Sequence, residues 1–344
     1  MDTFELLKAL CDADGPAGDE VRAADWAASW LADCCGPVER SPLGSVCCTV
    51  VPPQEGRPHL LLDAHLDEVG FIVTHIDEDG FVKIAPVGGI DHRLLLSARL
   101  SILGREEVPA VVSCLAPHLS AMEGFKKAPP VDKLYLDTGV GKEELERLVA
   151  PGDRVCYRAP LRRLLGGRVT GKALDDRAGC AAVCLAAKAI KEAGFAGCGV
   201  TALLSTREEV GGQGAATAAF LAAPTHCVAV DVSFALSPGC DAADCGELGA
   251  GPMIGYAPTL DRGMYRALCR TAEGEGIPFQ REIMAGRTGT NADGVSVAGG
   301  GVRCVTLSIP QRYMHTPAEV CDLADIENTA ALLAAYVKGG EWSC

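Results

Sequence analysis

Six acidic or imidazole side chains lie where apolar runs of this sequence give way to polar residues. They are His65 in DAHLDEVG, Asp175 in GKALDDRAG, Glu208 and Glu209 in STREEVGGQGA, Asp231 in AVDVSF and His315 in RYMHTPAE. In open α/β sheets, ligands gather at the carboxyl ends of the strands, so side chains far apart in sequence converge there. Two His and three carboxylates suit a pair of zinc-like ions, with one carboxylate bridging both and water at the remaining positions. The pattern therefore predicts a two-metal site.

A structural interpretation competes with this chemistry at each position. A His at a strand end is commonly a surface or capping residue, but Asp67 follows His65 on the same face, where a carboxylate could orient the imidazole ring. Asp231 lies between the apolar runs VAV and VSF. A carboxylate in that setting needs a cation or hydrogen-bond donors. Both positions therefore favour ligation over a surface role.

Two pairs of adjacent acidic residues, Asp175 with Asp176 and Glu208 with Glu209, could each contain one structural and one functional carboxylate. Asp176 directly precedes the helical segment AGCAAVCLAAKA, where a cap is expected, so Asp175 is the member of its pair that can bridge metals. Glu208 and Glu209 could form a solvated pair. They end an apolar strand and lead into a Gly-rich loop, however, which is where site residues concentrate.

Two other segments have the spacing of known binding loops. GGRVTGKA contains the GxxxxGK pattern of a phosphate-binding loop, but Ala173 stands where that loop needs a Ser or Thr hydroxyl, and LDDR follows instead of a helix start. HIDEDG is similar to a calcium loop but lacks the ligand pattern and its terminal Glu. We therefore expect no nucleotide site, and a hairpin turn at HIDEDG.

Composition excludes several classes of partner. The 31 Lys and Arg against 45 Asp and Glu give a net charge of −14, which repels nucleic acid and anionic lipid surfaces. The start MDTFELLKALCDADG has acidic residues where a signal peptide needs a basic region, and no apolar run reaches the roughly 18 to 20 residues of a bilayer span. The 17 cysteines include no CxxC pair and are expected to be reduced packing thiols. A cytoplasmic protein is predicted.

Hydrophobic periodicity divides the chain into two kinds of region, one with alternating helices and strands and one with short strands only. Residues 1 to about 40 predict an amphipathic helix pair, and HLLLDAHLD predicts a buried parallel strand that ends near His65 and Asp67. Between Val69 and Arg163, short apolar runs separated by Gly, Pro and Asp predict a small β domain. Helical and strand segments then alternate again. The predicted domains are therefore 1–68 with 164–344, and an insertion at 69–163.

Taken together, the ordered motifs resemble the tetrahedral aminopeptidases, the family of bacterial glutamyl aminopeptidases and archaeal deblocking aminopeptidases among the co-catalytic metallopeptidases. The motifs that carry the resemblance are DAHLDEVGF, HIDEDGFVKIAPVGGID, APHL, PGD, GKALDDRAG, STREEVGGQGA, DVS, TGTNAD and LSIPQRYMHTPAE. They occur in the family's order along nearly the whole chain.

The resemblance implies a role for each candidate side chain. The implied metal ligands are His65, Asp175, Glu209, Asp231 and His315, with Asp175 bridging two divalent ions that are zinc, cobalt or manganese. Glu208 is implied as the general base and Asp67 as the partner that orients His65. The metals would lower the pKa of a shared water and polarise the scissile carbonyl.

The resemblance also implies a fold and an assembly. The expected fold is α/β, a mixed and mostly parallel sheet between helices as in zinc peptidases, with an inserted β-barrel-like domain. That domain would mediate dimer contacts, and twelve subunits would close into a hollow tetrahedral particle that admits short peptides. Two positions depart from the family pattern: Asn291 stands where Asp is commoner, and His92 stands where a small residue or Pro is expected.

Three other functions remain open at this point. A metal-dependent deacylase or carboxypeptidase would use a similar ligand set, and an inactive, assembly-forming homologue would keep the fold alone. The label endoglucanase, sometimes attached to this family, has little chemical support because glycosidases use a carboxylate pair without metals.

Overall fold

The computed structural model describes residues 1–113, 128–195 and 197–340. Within these ranges the strands, in chain order, are β1 Val38–Arg40, β2 Val46–Val51, β3 His59–His65, β4 Gly70–Ile76, β5 Val82–Val87, β6 Arg99–Leu103, β7 Glu107–Ser113, β8 Tyr135–Asp137, β9 Arg154–Tyr157, β10 Arg162–Arg163, β11 Arg168–Gly171, β12 Gly199–Ser205, β13 His226–Phe234, β14 Met253–Tyr256, β15 Gln280–Ile283, β16 Arg303–Gln311 and β17 Glu319–Asp322. The α-helices are α1 Thr3–Asp12, α2 Val21–Cys34, α3 Lys142–Leu145, α4 Leu174–Glu192, α5 Gln213–Ala222, α6 Arg262–Glu275, α7 Ala292–Val295 and α8 Leu323–Gly339.

An eight-stranded mixed sheet forms the centre of the larger part, in the order β1-β2-β12-β3-β13-β16-β14-β15. Its middle strands β12, β3, β13 and β16 run parallel, so their carboxyl ends meet at one edge. Every residue of β3 and β12 is buried, as expected for parallel strands covered on both faces.

Helices cover both faces of this sheet. Along β3, Leu60 and Leu62 pack into a large core that includes residues of α1, α2, α4, α6 and α8. Leu61 points to the other face, where it joins a smaller core with α5 and α7. This alternation is the period-two pattern of a strand. The opening helix pair and the mostly parallel α/β sheet between helices are both confirmed.

A closed β-barrel interrupts the chain between β3 and the return to the large core. Its strands β4, β5, β8, β7, β6 and β9 pair in that order, and β9 closes back onto β4. The barrel has its own apolar core, which includes Phe71, Ile102 and Leu136. At HIDEDG the predicted hairpin turn is confirmed, because the Asp77 carboxylate accepts the backbone N–H groups of Asp79 and Phe81.

The barrel strands lie between 70 and 157, inside the predicted insertion. Strand β10, near the predicted limit at 163, pairs with β11 in a separate three-stranded sheet completed by β17. The limits 69 and 163 stay a prediction, as does a dimerisation role. Segment APHL of the sequence motifs lies outside the described residues.

A buried ion pair joins the two chain segments that flank the barrel. The Lys172 ammonium donates to both carboxylate oxygens of Glu68, at 2.6 and 2.8 Å. Glu68 lies just before β4, and Lys172 lies just after β11. The Lys of the GxxxxGK pattern is therefore held in the protein interior by a carboxylate, and α4 begins directly after this segment, where the sequence predicted no helix start.

The cysteines within the described ranges are free thiols, and most are buried. Burial raises the pKa of several of them, as at Cys184, which keeps the thiol protonated and apolar in character. Among the described residues, no helix combines the length and the apolar character required to cross a bilayer.

Candidate metal centre

The candidate side chains come from the carboxyl ends of the parallel strands and from two neighbouring loops. His65 is the last residue of β3, and Glu208 and Glu209 follow β12, the strand beside it. Asp231 lies in β13, on the other side of β3. Asp175 lies at the start of α4, and His315 follows β16. The structure therefore brings together all six side chains that the sequence singled out.

The carboxylate of Asp175 lies between the two imidazoles. His65 Nε2 is 3.0 Å from Asp175 Oδ1, and His315 Nε2 is 3.3 Å from Asp175 Oδ2. His315 Nε2 is also 3.3 Å from Glu209 Oε1, whereas His65 Nε2 is 3.9 Å from Asp231 Oδ1. The site thus has two halves that share one carboxylate: His65 with Asp231, and His315 with Glu209.

Two groups of possible ligand atoms at this site lie close enough to hold a metal ion. The ligand atoms of His65, Asp175 and Glu209 lie within 4.8 Å of one another, as do those of His65, Asp176 and Asp231. Asp176 is already engaged, because its two oxygens accept the backbone N–H groups of Gly179, at 2.9 Å, and of His65, at 3.2 Å. The backbone of Asp175 and Asp176 is not helical, so the first of these bonds caps the regular part of α4, as predicted.

Asp67 supports both the His65 ring and the pair of glutamates. Its backbone carbonyl lies 3.1 Å from His65 Nδ1, and its carboxylate Oδ1 lies 3.5 Å from the same atom. The carboxylate accepts the backbone N–H of Glu208 at 2.9 Å and that of Glu209 at 3.0 Å. Asp67 therefore orients the ring mainly through its carbonyl, and its carboxylate fixes the start of the loop after β12.

Glu319 is a second carboxylate that accepts backbone N–H groups of candidate site residues, as Asp67 does. It was not predicted from the sequence. Its Oε1 accepts the backbone N–H of His315 at 2.9 Å, and its Oε2 accepts that of Asp175 at 3.2 Å. The side chain is buried at the start of β17. The available signal was a Glu leading into the apolar run VC, because a buried carboxylate needs donors.

The electrostatics of the site favour a cation. Burial raises the pKa of Glu208 to about 7, and that of Asp231 is raised chiefly by burial as well. Burial alone would lower the pKa of His315, but hydrogen bonds with Asp175 and Glu209 raise it to about 11. The pKa of His65 is likewise raised, against its burial, by Asp175 and Asp67. The carboxylates thus stabilise positive charge between them, as they would the charge of divalent ions.

A cavity of about 400 Å³ opens beside these residues. The side chains that line it include five carboxylates and two His but no Lys or Arg among the described residues. The donor set of carboxylate oxygens and imidazole nitrogens suits zinc-like divalent ions. The residues present therefore fit the two metal ions that the sequence predicted.

The barrel contributes backbone to this cavity. Gly89, in the segment after β5, lines it, and a Cβ built on Gly89 would lie 2.9 Å from His315 Nδ1. Its neighbour Gly88 has a φ of +82°, and a Cβ there would lie 3.4 Å from the Cβ of Glu209. The two glycines of the PVGGID motif therefore place backbone without side chains against the candidate ligands His315 and Glu209.

The two positions that depart from the family pattern occupy different environments. Asn291 is buried, and its amide donates to Ser205 Oγ at 2.9 Å. Burial raises the pKa of the neighbouring Asp63 carboxyl to about 6, an effect that the nearby polar groups of Ser205 and Asn291 partly offset. Asn291 is thus part of a hydrogen-bond network behind the site. His92 is exposed in a short turn after β5.

A third group of possible ligands, formed by Asp14, Glu68 and Cys156, lies apart from the site. The Lys172 ammonium is 3.3 Å from Asp14 Oδ1 and 2.6 Å from Glu68 Oε1. A cation already occupies the centre of this group, so it is a structural ion-pair cluster.

Comparison with known proteins identifies the family. The sequence profile described as M42 glutamyl aminopeptidase matches residues 44–332. The lysyl aminopeptidase of Pyrococcus furiosus is 30% identical over 346 residues, covering 98% of this chain and 97% of that protein. An aminopeptidase from the archaeon Desulfurococcus kamchatkensis superposes with a TM-score of 0.90 at 30% identity, covering 97% and 94% of the two chains.

The TET1 peptidase of Pyrococcus horikoshii, which can assemble into a tetrahedron or a large octahedral shell, superposes with a TM-score of 0.85 at 28% identity. The matched region covers 97% of this chain and 98% of that one. The profile match over most of the chain and the full-length similarity to aminopeptidases agree with the site geometry. The chain is therefore a peptide hydrolase that belongs to the M42 glutamyl aminopeptidase family.

Proposed function

We propose that this protein removes N-terminal residues from short peptides with two divalent metal ions. The observation that carries the proposal is the carboxylate of Asp175 between His65 and His315, at 3.0 and 3.3 Å. Asp175 would serve both ions. His65 and Asp231 would complete the ligands of one ion, and His315 and Glu209 those of the other. These assignments follow the two halves of the site.

Glu208 is the proposed general base. The ions, when bound, lower the pKa of a water and polarise the scissile carbonyl. Glu208 is not needed as a ligand in either half of the site, and burial raises its pKa to about 7. A carboxylate in the cavity of the proposed ligands can accept a proton from the attacking water and return it to the departing amine. The Asp67 carboxylate accepts the backbone N–H of Glu208 and so holds the Glu208 backbone in place for this transfer.

The metal is proposed to be zinc, with cobalt or manganese able to take its place. Imidazole and carboxylate ligands accept all three ions, and their supply in the cell decides among them. Activity is therefore best measured after chelation and separate add-back of each ion.

The decisive experiment compares Glu208→Gln with Glu209→Gln in a panel of aminoacyl-p-nitroanilides. We expect Glu208→Gln to keep its metal content and to lose turnover by about 10²- to 10⁴-fold, because only proton transfer is removed. Glu209→Gln should lose metal as well as activity. Glu55→Gln, in an exposed loop at the opposite end of β3, is the matched control and should behave as wild type.

Two results would reject the proposal. Hydrolysis of N-blocked peptides with no release from free amino termini would point to a deacylase or carboxypeptidase. A protein that binds two ions but hydrolyses neither kind of substrate would be an inactive, assembly-forming homologue.

The assembly proposed for this chain is a tetrahedral dodecamer built from dimers, with the insertion at 69–163 forming the dimer contact. The tetrahedral assembly of the Pyrococcus horikoshii relative supports it. So do the apolar side chains that the barrel region exposes, Leu94, Leu96 and Val111, of which Val111 is 46% exposed on β7. Native mass spectrometry of wild type and Val111→Glu tests this, and a monomeric wild type would reject it.

A cytoplasmic location is the remaining part of the proposal. The free thiols of the described cysteines support it, because oxidising compartments favour disulfides in secreted proteins. Fractionation of cells that express the tagged protein tests the location.

A further inference from the structure

The cavity beside the metal centre contains one carboxylate that the proposed reaction does not use. Glu282 lies in β15, the edge strand of the large sheet, and its side chain lines the same cavity as Asp175 and Glu208. It is partly accessible to solvent. The proposed chemistry needs five ligands and one base, all supplied by other residues, so Glu282 is available for another task.

Two hydroxyl groups hold the Glu282 carboxylate in a fixed position. Ser233 Oγ donates to Oε1, and Ser308 Oγ donates to Oε2 at 2.7 Å. Each carboxylate oxygen has two lone pairs, so each keeps one lone pair for a further donor. The carboxylate is therefore oriented but not saturated.

The two serines also place Glu282 on the face of the sheet that carries the metal centre. Ser233 lies two residues beyond Asp231 on the same face of β13, and Ser308 pairs in register with Asp231 on β16. Adjacent strands lie about 4.8 Å apart. Glu282 accepts from one serine on each of these strands, so its carboxylate lies on the same face of the sheet as the proposed ligand Asp231, in the cavity that both side chains line.

No cationic side chain in the described part of the chain pairs with this carboxylate. Among the residues that the structure describes, no Lys, Arg or His nitrogen lies within 4 Å of the Glu282 carboxylate, and its hydrogen-bond partners are the neutral hydroxyls of Ser233 and Ser308. A purely structural anchor for β15 would not require a charged group, since a hydroxyl or an amide could accept from two serines. The negative charge itself is left facing the cavity.

Apolar side chains line the space around Glu282. Met284, Met314 and Phe234 border the same cavity. Lys and Arg side chains consist of an apolar stem with a cation at its end, and they pack the stem on apolar surface while the cation finds a polar partner. The cavity offers both features, apolar side chains and the Glu282 carboxylate.

We propose that Glu282 selects peptides whose first residue is Lys or Arg, by pairing with the cation at the end of that side chain. The inference rests on the proposed aminopeptidase function, because it names the substrate class of that same site. Glu282 acts here as a specificity-determining residue. The released products are then free basic amino acids.

The test compares p-nitroanilides of Lys, Arg, norleucine and Glu on wild type and Glu282→Gln. Norleucine has the four-carbon stem of Lys without its ammonium group, so it isolates the contribution of the charge. We expect wild type to prefer Lys and Arg. Glu282→Gln should lower kcat/KM for both by about 10- to 100-fold, the range for losing a charged hydrogen bond, and leave norleucine within about twofold. Glu55→Gln should change none of the values.

Each alternative outcome has a separate meaning. A wild-type kcat/KM for the norleucine anilide as high as for the Lys and Arg anilides would overturn this inference and leave the proposed function standing. An equal loss on all substrates in Glu282→Gln would also overturn it, because the carboxylate would then serve the α-amine or the fold. Thermal unfolding of the variant separates those two causes. Failure of wild type on every substrate with each metal would reject the proposed function itself.

Charge reversal provides a second variant. Glu282→Lys should lose activity on Lys and Arg anilides and gain on Glu anilide relative to wild type. Unchanged relative rates in this variant would contradict the role of the charge.

Discussion

The carboxylate Oδ1 of Asp67 accepts the backbone N–H of Glu208 at 2.9 Å, which ties the proposed base to the strand that ends in His65. Asp67→Asn should weaken this tie, because the amide group presents a donor to one of the two N–H groups that the carboxylate accepts. We expect kcat to fall by about 10- to 100-fold, as for other residues that position metal-site groups. Steady-state kinetics with metal analysis measure the effect.

Asp79→Asn is the control for that variant, because Asp79 lies exposed in the hairpin turn between β4 and β5. Full activity in Asp67→Asn would show that the loop after β12 is held by other contacts.

Glu319→Gln should weaken metal binding more than it affects the proposed base. Glu319 accepts the backbone N–H groups of His315 and Asp175, which are proposed ligands, whereas the backbone N–H of Glu208 is held by Asp67. The apparent Kd for zinc should rise by about 10- to 100-fold, with kcat largely restored at saturating metal. Competition with a fluorescent zinc chelator gives the Kd. An unchanged Kd would contradict this role.

Gly89→Ala should impair the site although it adds a single methyl group. The new Cβ would lie 2.9 Å from His315 Nδ1, closer than side chains tolerate, so the ring or the barrel segment must shift. We expect reduced activity and weaker metal binding without loss of folding. Gly141→Ala is the matched control, because nothing lies within 4 Å of the Cβ built there. Equal activity of the two variants would show that His315 is free to move.

Metal removal should lower the thermal stability of wild type. Ions that bind only the folded state stabilise it, by about 2.7 kcal/mol at a hundredfold excess over Kd. Asp231→Asn should respond less to chelator, since it lacks one proposed ligand. In chelator its Tm should equal or exceed that of wild type, because no divalent ion then offsets the free-energy cost of burying the wild-type Asp231 carboxyl group. Differential scanning calorimetry measures both Tm values.

Much of the fold could be predicted because the buried strands have strong local patterns. The run HLLLDAH is apolar along its whole length and became the central strand β3, and the short alternating runs between 69 and 163 became the six barrel strands. Helix α6 was not predicted, although Asp261 caps its first turn and Gly276 ends it with a φ of +67°. That signal was available in the sequence.

Part of the site could be predicted for the same reason. Parallel strands meet at one edge, so side chains at their ends converge whatever their separation along the chain. Glu319, Gly89 and Glu282 could not be found in this way, because each acts through contacts with distant segments. Glu282 lies in QREI, a four-residue edge strand without a periodic pattern, and only the serines of two other strands show its orientation.

The buried pair of Glu68 and Lys172 has a consequence for how this protein could vary. Because the pair joins the segment before the barrel to the segment after it, the two ends of the insertion are fixed beside each other by residues of the larger part. Barrels of different length or surface could be exchanged at these ends without cutting the central sheet. The proposed dimer contact could therefore vary while the larger part is kept, provided that each new insert supplies a glycine backbone segment beside His315.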